Sequence, residues 1–152
     1  MIKKIDVREV HVAEQVKELQ QLSYRVEAEL IGFEALPPLS DTVLSIQHSG
    51  ETFWGYFSDE KLCGAIAYTE DGDTCDVCRL MVHPDYFRKG IAQALFDHVR
   101  ANIDVTDFVV ATGAKNMPAI RFYVRNGFQV ERTVEVHPEL SLTYLRKSDE
   151  GG

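Results

Sequence analysis

The stretch from residue 79 to residue 96 contains a strand, a cationic glycine loop and the start of a helix, and it restricts the possible folds more than any other part of the chain. The apolar residues 80–82 stop at His83-Pro84, where proline has no amide donor and biases the residue before it towards extended backbone, so a strand ends here. Residues 88–90 read Arg-Lys-Gly, and apolar residues then recur at helical spacing, at Ile91, Ala94, Leu95 and Val99.

The loop at residues 88–90 has the chemistry of an anion site. The first amides of a helix lack intrahelical partners and carry the positive end of the helix dipole, so they bind phosphate. Gly90 and Ala92 leave room for a diphosphate to approach the backbone, while Arg88 and Lys89 add positive charge at the rim. An ordinary strand-to-helix turn is the competing interpretation. Neither G-x-x-x-x-G-K-[ST] nor G-x-G-x-x-G, the other phosphate-binding motifs, occurs in the sequence.

Residues 82–95, V-H-P-D-Y-F-R-K-G-I-A-Q-A-L, resemble the acyl-CoA-binding motif of the GNAT superfamily of N-acetyltransferases, which reads [Q/R]-x-x-G-x-[G/A] after a strand. Gly90 and Ala92 match its fourth and sixth positions. Phe87 stands where glutamine or arginine is usual, a departure that leaves the backbone contacts of the motif in place. Residues 116–128, N-M-P-A-I-R-F-Y-V-R-N-G-F, are similar to the second family motif, in which an Asn and a Tyr seven residues later share one helix.

The resemblance implies that acetyl-CoA is the cosubstrate. Its diphosphate would contact the amides of residues 88–93, backbone amides near Met81 and Val82 would bind pantetheine and stabilise the oxyanion, and Asn116 would hydrogen-bond pantetheine. The competing interpretations are core strand positions for residues 80–82 and a helix cap for Asn116. The residues assigned to acetyl-CoA are Leu80, Met81, Val82, Arg88, Lys89, Gly90, Ile91, Ala92, Gln93, Asn116 and Tyr123.

Tyr123 is, by the same resemblance, the general acid that protonates the departing CoA thiolate. The pattern alone indicates a half-buried tyrosine that packs its helix onto the sheet. A free tyrosine has a pKa of about 10, so it stays protonated at neutral pH, and it is a better acid than water towards a thiolate of pKa about 8.5. The assignment therefore requires no special perturbation of the Tyr123 pKa.

The general base has weaker support in the sequence. Family members with an assigned base often carry a glutamate on the strand before the pyrophosphate loop, at positions that match Asp76 or Cys78 here. Asp76 would act directly or through a water, and its competing interpretation is an exposed strand carboxylate. Poorer candidates, with only loop placement behind them, are Glu34, His137 and Glu139. Some enzymes of this type use chains of water molecules instead.

The loop after the first long helix borders the acceptor site in this family. Phe33 and Glu34, together with Leu36, are therefore candidates for contacts with the acceptor substrate. A loop that packs over the core is the alternative for each of them. The long helix itself is interpreted as mostly structural.

The pattern of elements predicts an α/β fold. Residues 52–58, 62–70 and 74–82 form an antiparallel meander, and residues 107–112 form a buried strand parallel to the third of these through a right-handed crossover. The other predicted strands are 2–7, 129–136 and 140–146, and the predicted helices run from Val12 to near Gly32, from the cap Ser40 to about His48, after Gly90, and from Asn116 to Asn126. The GNAT fold adds a central mixed, mostly antiparallel sheet with helices on both faces and a splay between the fourth and fifth strands.

A chain of 152 residues suits one domain, predicted at 1–147, with a flexible C-terminal tail at 148–152. The formal charge of -8 argues against nucleic acid as a partner, because phosphate neutralisation needs clustered cations. No segment is apolar enough for a membrane span or a signal peptide, so we expect no membrane contact and a cytoplasmic location. Cys75 and Cys78 lie three apart on a predicted strand and face opposite sides, so we expect no metal site.

Together these features indicate an N-acetyltransferase that moves the acetyl group of acetyl-CoA to a primary amine of a small molecule or peptide, by direct attack in a ternary complex. The alternative is a non-catalytic acyl-CoA-binding or regulatory module on the same fold. The protein would act as a monomer or a homodimer.

Overall fold

Seven strands form one sheet in the computed structural model, which describes residues 1–149. In chain order they are β1 (Ile2–Ile5), β2 (Thr52–Ser58), β3 (Lys61–Asp71), β4 (Thr74–Val82), β5 (Asp107–Gly113), β6 (Gln129–His137) and β7 (Leu140–Ser148). Their spatial order is β1-β2-β3-β4-β5-β7-β6, and only the β4–β5 pair is parallel. The helices are α1 (Val10–Ile31), α2 (Val43–Gln47), α3 (Ile91–Asn102) and α4 (Met117–Arg125).

The two parallel strands separate partway along their length. β4 pairs with β5 only from Thr74 opposite Asp107 to Val77 opposite Val110. Beyond that point β4 remains paired with β3, and β5 remains paired with β7 as far as Gly113. A V-shaped gap therefore opens between residues 78–82 and residues 111–113, and the predicted splay is confirmed.

An extra residue in β4 sets the direction of the side chains beside this gap. Ala67 of β3 pairs with Arg79 and Tyr68 pairs with Val77, so Cys78 forms a bulge. The bulge shifts the alternation of the strand by one residue. Cys75, Val77, Leu80 and Val82 consequently share the core under α3 and α4, whereas Met81 joins the core under α1 and α2.

Helices cover both faces of the sheet, as predicted. On the α3 side, a Cβ atom added at Gly64 of β3 would stand 2.7 Å from Cγ2 of Ile91, so the absence of a side chain lets α3 lie close to the strand. On the other face, Val16 and Leu19 of α1 pack with Ile46 of α2 against the sheet. A smaller cluster lies under the loop that follows α1.

The start of the second helix differs from the prediction. Thr42, not Ser40, is the cap: its Oγ1 accepts from the Ser45 amide at 3.0 Å, and the Thr42 amide donates to Ser45 Oγ at 2.8 Å. Ser40 instead ends a short 3₁₀ turn, Pro37–Ser40, and its hydroxyl donates to the Pro37 carbonyl. The reciprocal bonds between Thr42 and Ser45 satisfy two amides at once, which explains why the helix begins there.

The C-terminal strand continues further than the sequence suggested. Ser148, predicted to begin the flexible tail, pairs with Asp107 in the sheet. Asp149 forms ion pairs with Arg100 at 3.1 Å and with Lys147 at 3.2 Å. The rest of the predicted tail, residues 150–152, lies outside the described residues. Within residues 1–149, no helix is long and apolar enough to cross a membrane, and no group of three His, Cys, Asp or Glu side chains is arranged to hold a metal ion.

Candidate active site

The basic glycine loop forms the entrance to α3. Gly90 is the N-cap residue with φ 75°, and Arg88 has φ 62°, so both take left-handed backbone conformations. The first helical bond runs from the Ala94 amide to the Gly90 carbonyl at 2.9 Å. The amides of residues 91–93 therefore have no partner within the helix. A Cβ atom at Gly90 would meet nothing within 4 Å, so the space beside this N-cap residue is open. This arrangement fits a diphosphate.

Aromatic and basic side chains surround the loop. The ammonium of Lys89 lies 5.3 Å from the ring centroid of Tyr86, and that of Lys61 lies 5.4 Å from the same ring. Phe87, at the position where the motif usually has glutamine or arginine, is 42% exposed. The loop thus offers positive charge and an exposed apolar surface next to the free amides.

Two backbone amides of β4 face the V-shaped gap. The His83 amide donates to the Cys63 carbonyl of β3 at 2.7 Å. Successive amides of a strand point to alternate edges, so the amides of Val82 and Leu80 face away from β3 and towards the gap. The Met81 amide faces β3, and its side chain is only 1% exposed in the core under α1. The donors available in this segment are therefore those of Leu80 and Val82.

Tyr123 is buried between α4 and the sheet. It is 5% exposed, and its ring lies 5.2 Å from that of Phe122 and 5.1 Å from that of Phe128, centroid to centroid. Burial, and secondarily the charge of Glu27, raises the pKa of Tyr123 well above its ordinary value. The sequence argument required no perturbation of this pKa, but the buried surroundings of Tyr123 provide one. The hydroxyl stays protonated across the working range of pH but is a weaker acid than a free tyrosine.

Asn116 uses both ends of its amide. Its Oδ1 accepts from the Ala119 amide at 3.3 Å and so caps α4. Its Nδ2 donates to Glu27 Oε1 at 3.0 Å. Because an amide nitrogen carries two hydrogens, the cap does not prevent a further donation to pantetheine.

Glu27 is a candidate for the site that the sequence did not indicate, because it lies beside Asn116. Its side chain is half-buried beside Thr112, and a Cβ atom at Gly113 would stand 4.0 Å from its Oε1. Burial raises its pKa, although hydrogen bonds from Asn116 and Thr112 oppose the shift. The available signal was the spacing of Gln20, Tyr24 and Glu27, which places three polar side chains on the same face of α1 as the buried Val16 and Ile31.

Asp76 lies where β4 and β5 are still paired, opposite Val109. Its side chain is exposed, and partial desolvation together with the charge of Glu51 raises its pKa. The neighbouring thiols face opposite sides as predicted, since Cys75 is buried and Cys78 is exposed. Burial raises the pKa of Cys75 to about 12 and that of Cys78 to about 11, so both stay protonated and unreactive.

A polar network fixes α1 and the following loop over β4. Arg79 donates from Nε to Glu51 Oε1, and from Nη1 to Gln20 Oε1 and to Asp41 Oδ2, each at 2.8 Å. Gln20 in turn donates to Asp41 Oδ2 at 2.8 Å and to the Pro38 carbonyl at 2.7 Å. Because Gln20 is fully buried, these bonds satisfy groups that have no access to water.

The loop predicted to contact the acceptor approaches the β6–β7 hairpin. The Phe33 ring lies 5.0 Å from the His137 imidazole, and Glu34 is exposed nearby in sequence. Leu36 is 6% exposed and packs in the small cluster with Ala28, so it is a core residue. A cavity of about 300 Å³ lies at this end, lined by Ile31, Ala114, Lys115, Thr133, Pro138, Glu139, Leu140 and Ser141.

Comparison with known proteins agrees with this geometry. The profile of the Acetyltransferase (GNAT) domain matches residues 49–130. UPF0157 protein YqkA of Bacillus subtilis is 39% identical over 144 residues, which cover 94% of this chain but 42% of that protein. The chain thus spans less than half the length of this relative.

Solved structures share the fold. The ribosomal-protein-S18-alanine N-acetyltransferase of Escherichia coli superimposes with a TM-score of 0.80 at 16% identity, covering 100% of this chain and 95% of that one. The PaiA N-acetyltransferase of Thermoplasma acidophilum, in complex with coenzyme A, gives a TM-score of 0.71 at 18% identity, covering 97% and 99%. With the matching profile, the splayed strands and the loop before α3, the chain belongs to the GNAT acetyltransferase family.

Proposed function

We propose that this chain is an acetyl-CoA-dependent N-acetyltransferase that acts on a primary amine of a small molecule or peptide. The observation that carries the proposal is the gap between β4 and β5, in a fold that also has free amides at the start of α3 and a buried tyrosine on α4. The two fold relatives described above are N-acetyltransferases, and the structure of the Thermoplasma acidophilum enzyme is a complex with coenzyme A. These relatives support acetyl-CoA as the cosubstrate and an amine as the acceptor.

Acetyl-CoA would lie along the gap. The amides of residues 91–93 and the side chains of Arg88 and Lys89 suit the diphosphate, because charge-assisted bonds to an anion are the strongest that a loop of this kind makes. The amides of Leu80 and Val82 suit pantetheine and the thioester carbonyl. Phe33 and Glu34, in the loop that follows α1, suit the acceptor, since Phe33 contacts His137 of the β6–β7 hairpin and the neighbouring hairpin residues Pro138 and Glu139 line a cavity.

The transfer would proceed by direct attack in a ternary complex. The amine nitrogen attacks the thioester carbonyl carbon, and a β4 amide stabilises the oxyanion of the tetrahedral intermediate. The carbon–sulfur bond then breaks, and the thiolate takes the hydroxyl proton of Tyr123. The attacking amine must lose a proton to a base. Asp76, exposed at the closed end of the gap, would assist this loss through a water.

The test combines binding with transfer. Calorimetry measures acetyl-CoA affinity, and a thiol reagent measures CoA release in the presence of spermidine, lysine or a tetrapeptide with a free amino terminus. We expect binding, release of one CoA per acetylated amine, and a mass increase of one acetyl group on the acceptor. Binding without transfer to any amine would favour the non-catalytic acyl-CoA-binding module, and absence of binding would contradict the assignment of the gap.

A further inference from the structure

Helix α1 crosses the V-shaped gap and brings polar side chains to both walls of the gap, which are β4 on one side and β5 on the other. At the β4 wall, Gln20 accepts from Arg79 at 2.8 Å. At the β5 wall, seven residues later, Glu27 accepts from Asn116 at 3.0 Å and lies against Gly113. Seven residues of helix rise about 10 Å. Neighbouring strands lie about 4.8 Å apart, so about 10 Å separates two strands that leave room for a third between them. The segment from Gln20 to Glu27 is therefore the roof of the gap.

The titratable groups on this roof differ in what they can do with a proton. Tyr24 of α1 and Tyr123 of α4 are both in electrostatic contact with Glu27. Burial raises the pKa of both tyrosines, so both already hold their protons and neither accepts one from an amine. Arg79 and Glu51, which act on Tyr24 from the β4 wall, are bound to each other. A carboxylate at Glu27 is the group on the β5 wall that is able to accept a proton.

We propose that Glu27, and not Asp76, is the general base that takes the proton directly from the acceptor amine, an assignment that rests on the proposed function and leaves Asp76 only an indirect role through water. The nitrogen–carbon bond forms as the amine proton moves to the Glu27 carboxylate, and the carbon–sulfur bond breaks as the Tyr123 proton moves to sulfur. The amine has thus lost one proton and the thiolate has gained one. Resetting the site moves a proton from Glu27 to Tyr123, directly or through solvent.

The electrostatic contact between Glu27 and Tyr123 favours this order of events. The charge of Glu27 is the second cause, after burial, of the raised pKa of Tyr123. When Glu27 takes up the amine proton, that charge disappears and the pKa of Tyr123 falls. The tyrosine becomes a stronger acid at the stage when the thiolate needs its proton. The pKa of Asp76 is instead raised by desolvation and by the charge of Glu51.

The alternative role for Glu27 is purely structural, since its carboxylate holds Asn116 in the orientation that caps α4. Glu27→Gln separates the two roles. The amide oxygen of glutamine still accepts the bond from Asn116, and the volume is unchanged, but the side chain no longer takes up a proton near neutral pH. Glu29→Gln, on the exposed side of the same helix, is the matched control.

Single-turnover acetyl transfer to spermidine, lysine or the tetrapeptide, followed from pH 5 to 9, is the decisive measurement. We expect Glu27→Gln to slow transfer by about 10²-fold or more, as for loss of a general base, and to abolish the acidic limb of the kcat/KM profile. That limb is displaced upwards from the position of an ordinary glutamate because burial raises the pKa of Glu27. The neutral fraction of the acceptor also falls with pH below its own pKa, about 10.4 for a lysine side chain and about 8 for a peptide amino terminus, but it falls equally for every variant. The limb caused by Glu27 is therefore measured as the pH dependence of the ratio of variant to wild-type rates. Glu29→Gln should keep both rate and limb.

The possible results distinguish this assignment from the proposed function. If the wild type transfers acetyl and Glu27→Gln does so at the same rate with the same acidic limb, the assignment of the base is overturned but the proposed function is not. Glu27 would then only support Asn116. Failure of the wild type to acetylate any of the amines would overturn the proposed function and the assignment together. Calorimetry with CoA should give equal affinities for Glu27→Gln and wild type, and a loss of binding in the variant would also count against a base.

Discussion

Gly90→Val tests whether the amides of α3 hold the diphosphate. Gly90 has φ 75°, a left-handed conformation that costs an L-residue about 1–2 kcal/mol. A Cβ atom there meets no other part of the protein within 4 Å, so no steric cost within the fold is added. For a domain of this size, 1 kcal/mol lowers Tm by about 2–4 °C. We therefore expect Tm to fall by about 2–8 °C and the circular dichroism spectrum to stay unchanged.

The effect on binding should be far larger than the effect on folding. Valine would add a branched side chain at the N-cap, next to the unpaired amides of residues 91–93 where the diphosphate is proposed to lie. Hydrogen bonds to a charged group contribute about 1.5–3 kcal/mol each, so losing two of them costs about 3–6 kcal/mol. The Kd for CoA, measured by calorimetry, should rise by about 10²- to 10⁴-fold.

Gly72→Val is the matched control for this experiment. Gly72 has φ 59°, a Cβ atom there also meets nothing within 4 Å, and the residue lies in the β3–β4 turn at the opposite end of β4. The two variants should lose similar stability, but only Gly90→Val should lose affinity. An unchanged Kd for Gly90→Val, or an equal loss in Gly72→Val, would refute the proposed position of the diphosphate.

Three further changes address catalysis and stability. Tyr123→Phe keeps the ring that packs on Phe128, so Tm and CoA affinity should barely change while single-turnover transfer slows by about 10²-fold; transfer at the wild-type rate would make Tyr123 a packing residue. Asp76→Asn should lower kcat/KM at neutral pH yet keep the acidic limb, and loss of the limb would return the role of base to Asp76. Arg79→Met leaves Glu51 without its partner and should reduce the free energy of unfolding, measured with urea, by about 2–4 kcal/mol. This loss is somewhat smaller than for a fully buried pair. Arg8→Met, which breaks an exposed ion pair, should not change the free energy of unfolding measurably.

The elements of this fold were readable from the sequence where the signal was local. The strand Thr74–Val82 ends at His83-Pro84 because of proline, and α4 begins after Asn116 because a cap and a proline stand together. The start of α2 was misplaced because two residues offered a cap hydroxyl, and the choice of Thr42 depends on the reciprocal bond to Ser45. Serine at that third position is a weaker signal than glutamate or glutamine.

The parts of the site that were missed depend on contacts between distant residues. Glu27 and Asn116 are 89 positions apart, and no local sequence pattern around either residue predicts the hydrogen bond between their side chains. The raised pKa of Tyr123 likewise follows from its burial in the core under α3 and α4 and from the charge of Glu27 on α1, and a spacing of seven residues from Asn116 carries no information about it. Motifs predict which backbone segments meet a ligand, whereas proton affinities require the assembled surroundings.

The outer edge of β6 has a consequence for how the protein behaves at high concentration. All nine residues of this strand are exposed, including Val130, Val134 and Val136, and only β7 pairs with it among the described residues. An open edge with apolar side chains is a template for intermolecular β-aggregation. Here the register slips at Glu131 and again at Val136, which divides the edge into short runs that an incoming strand cannot follow. These two irregularities therefore oppose intermolecular pairing at the edge, and a redesign that straightened β6 would make aggregation easier.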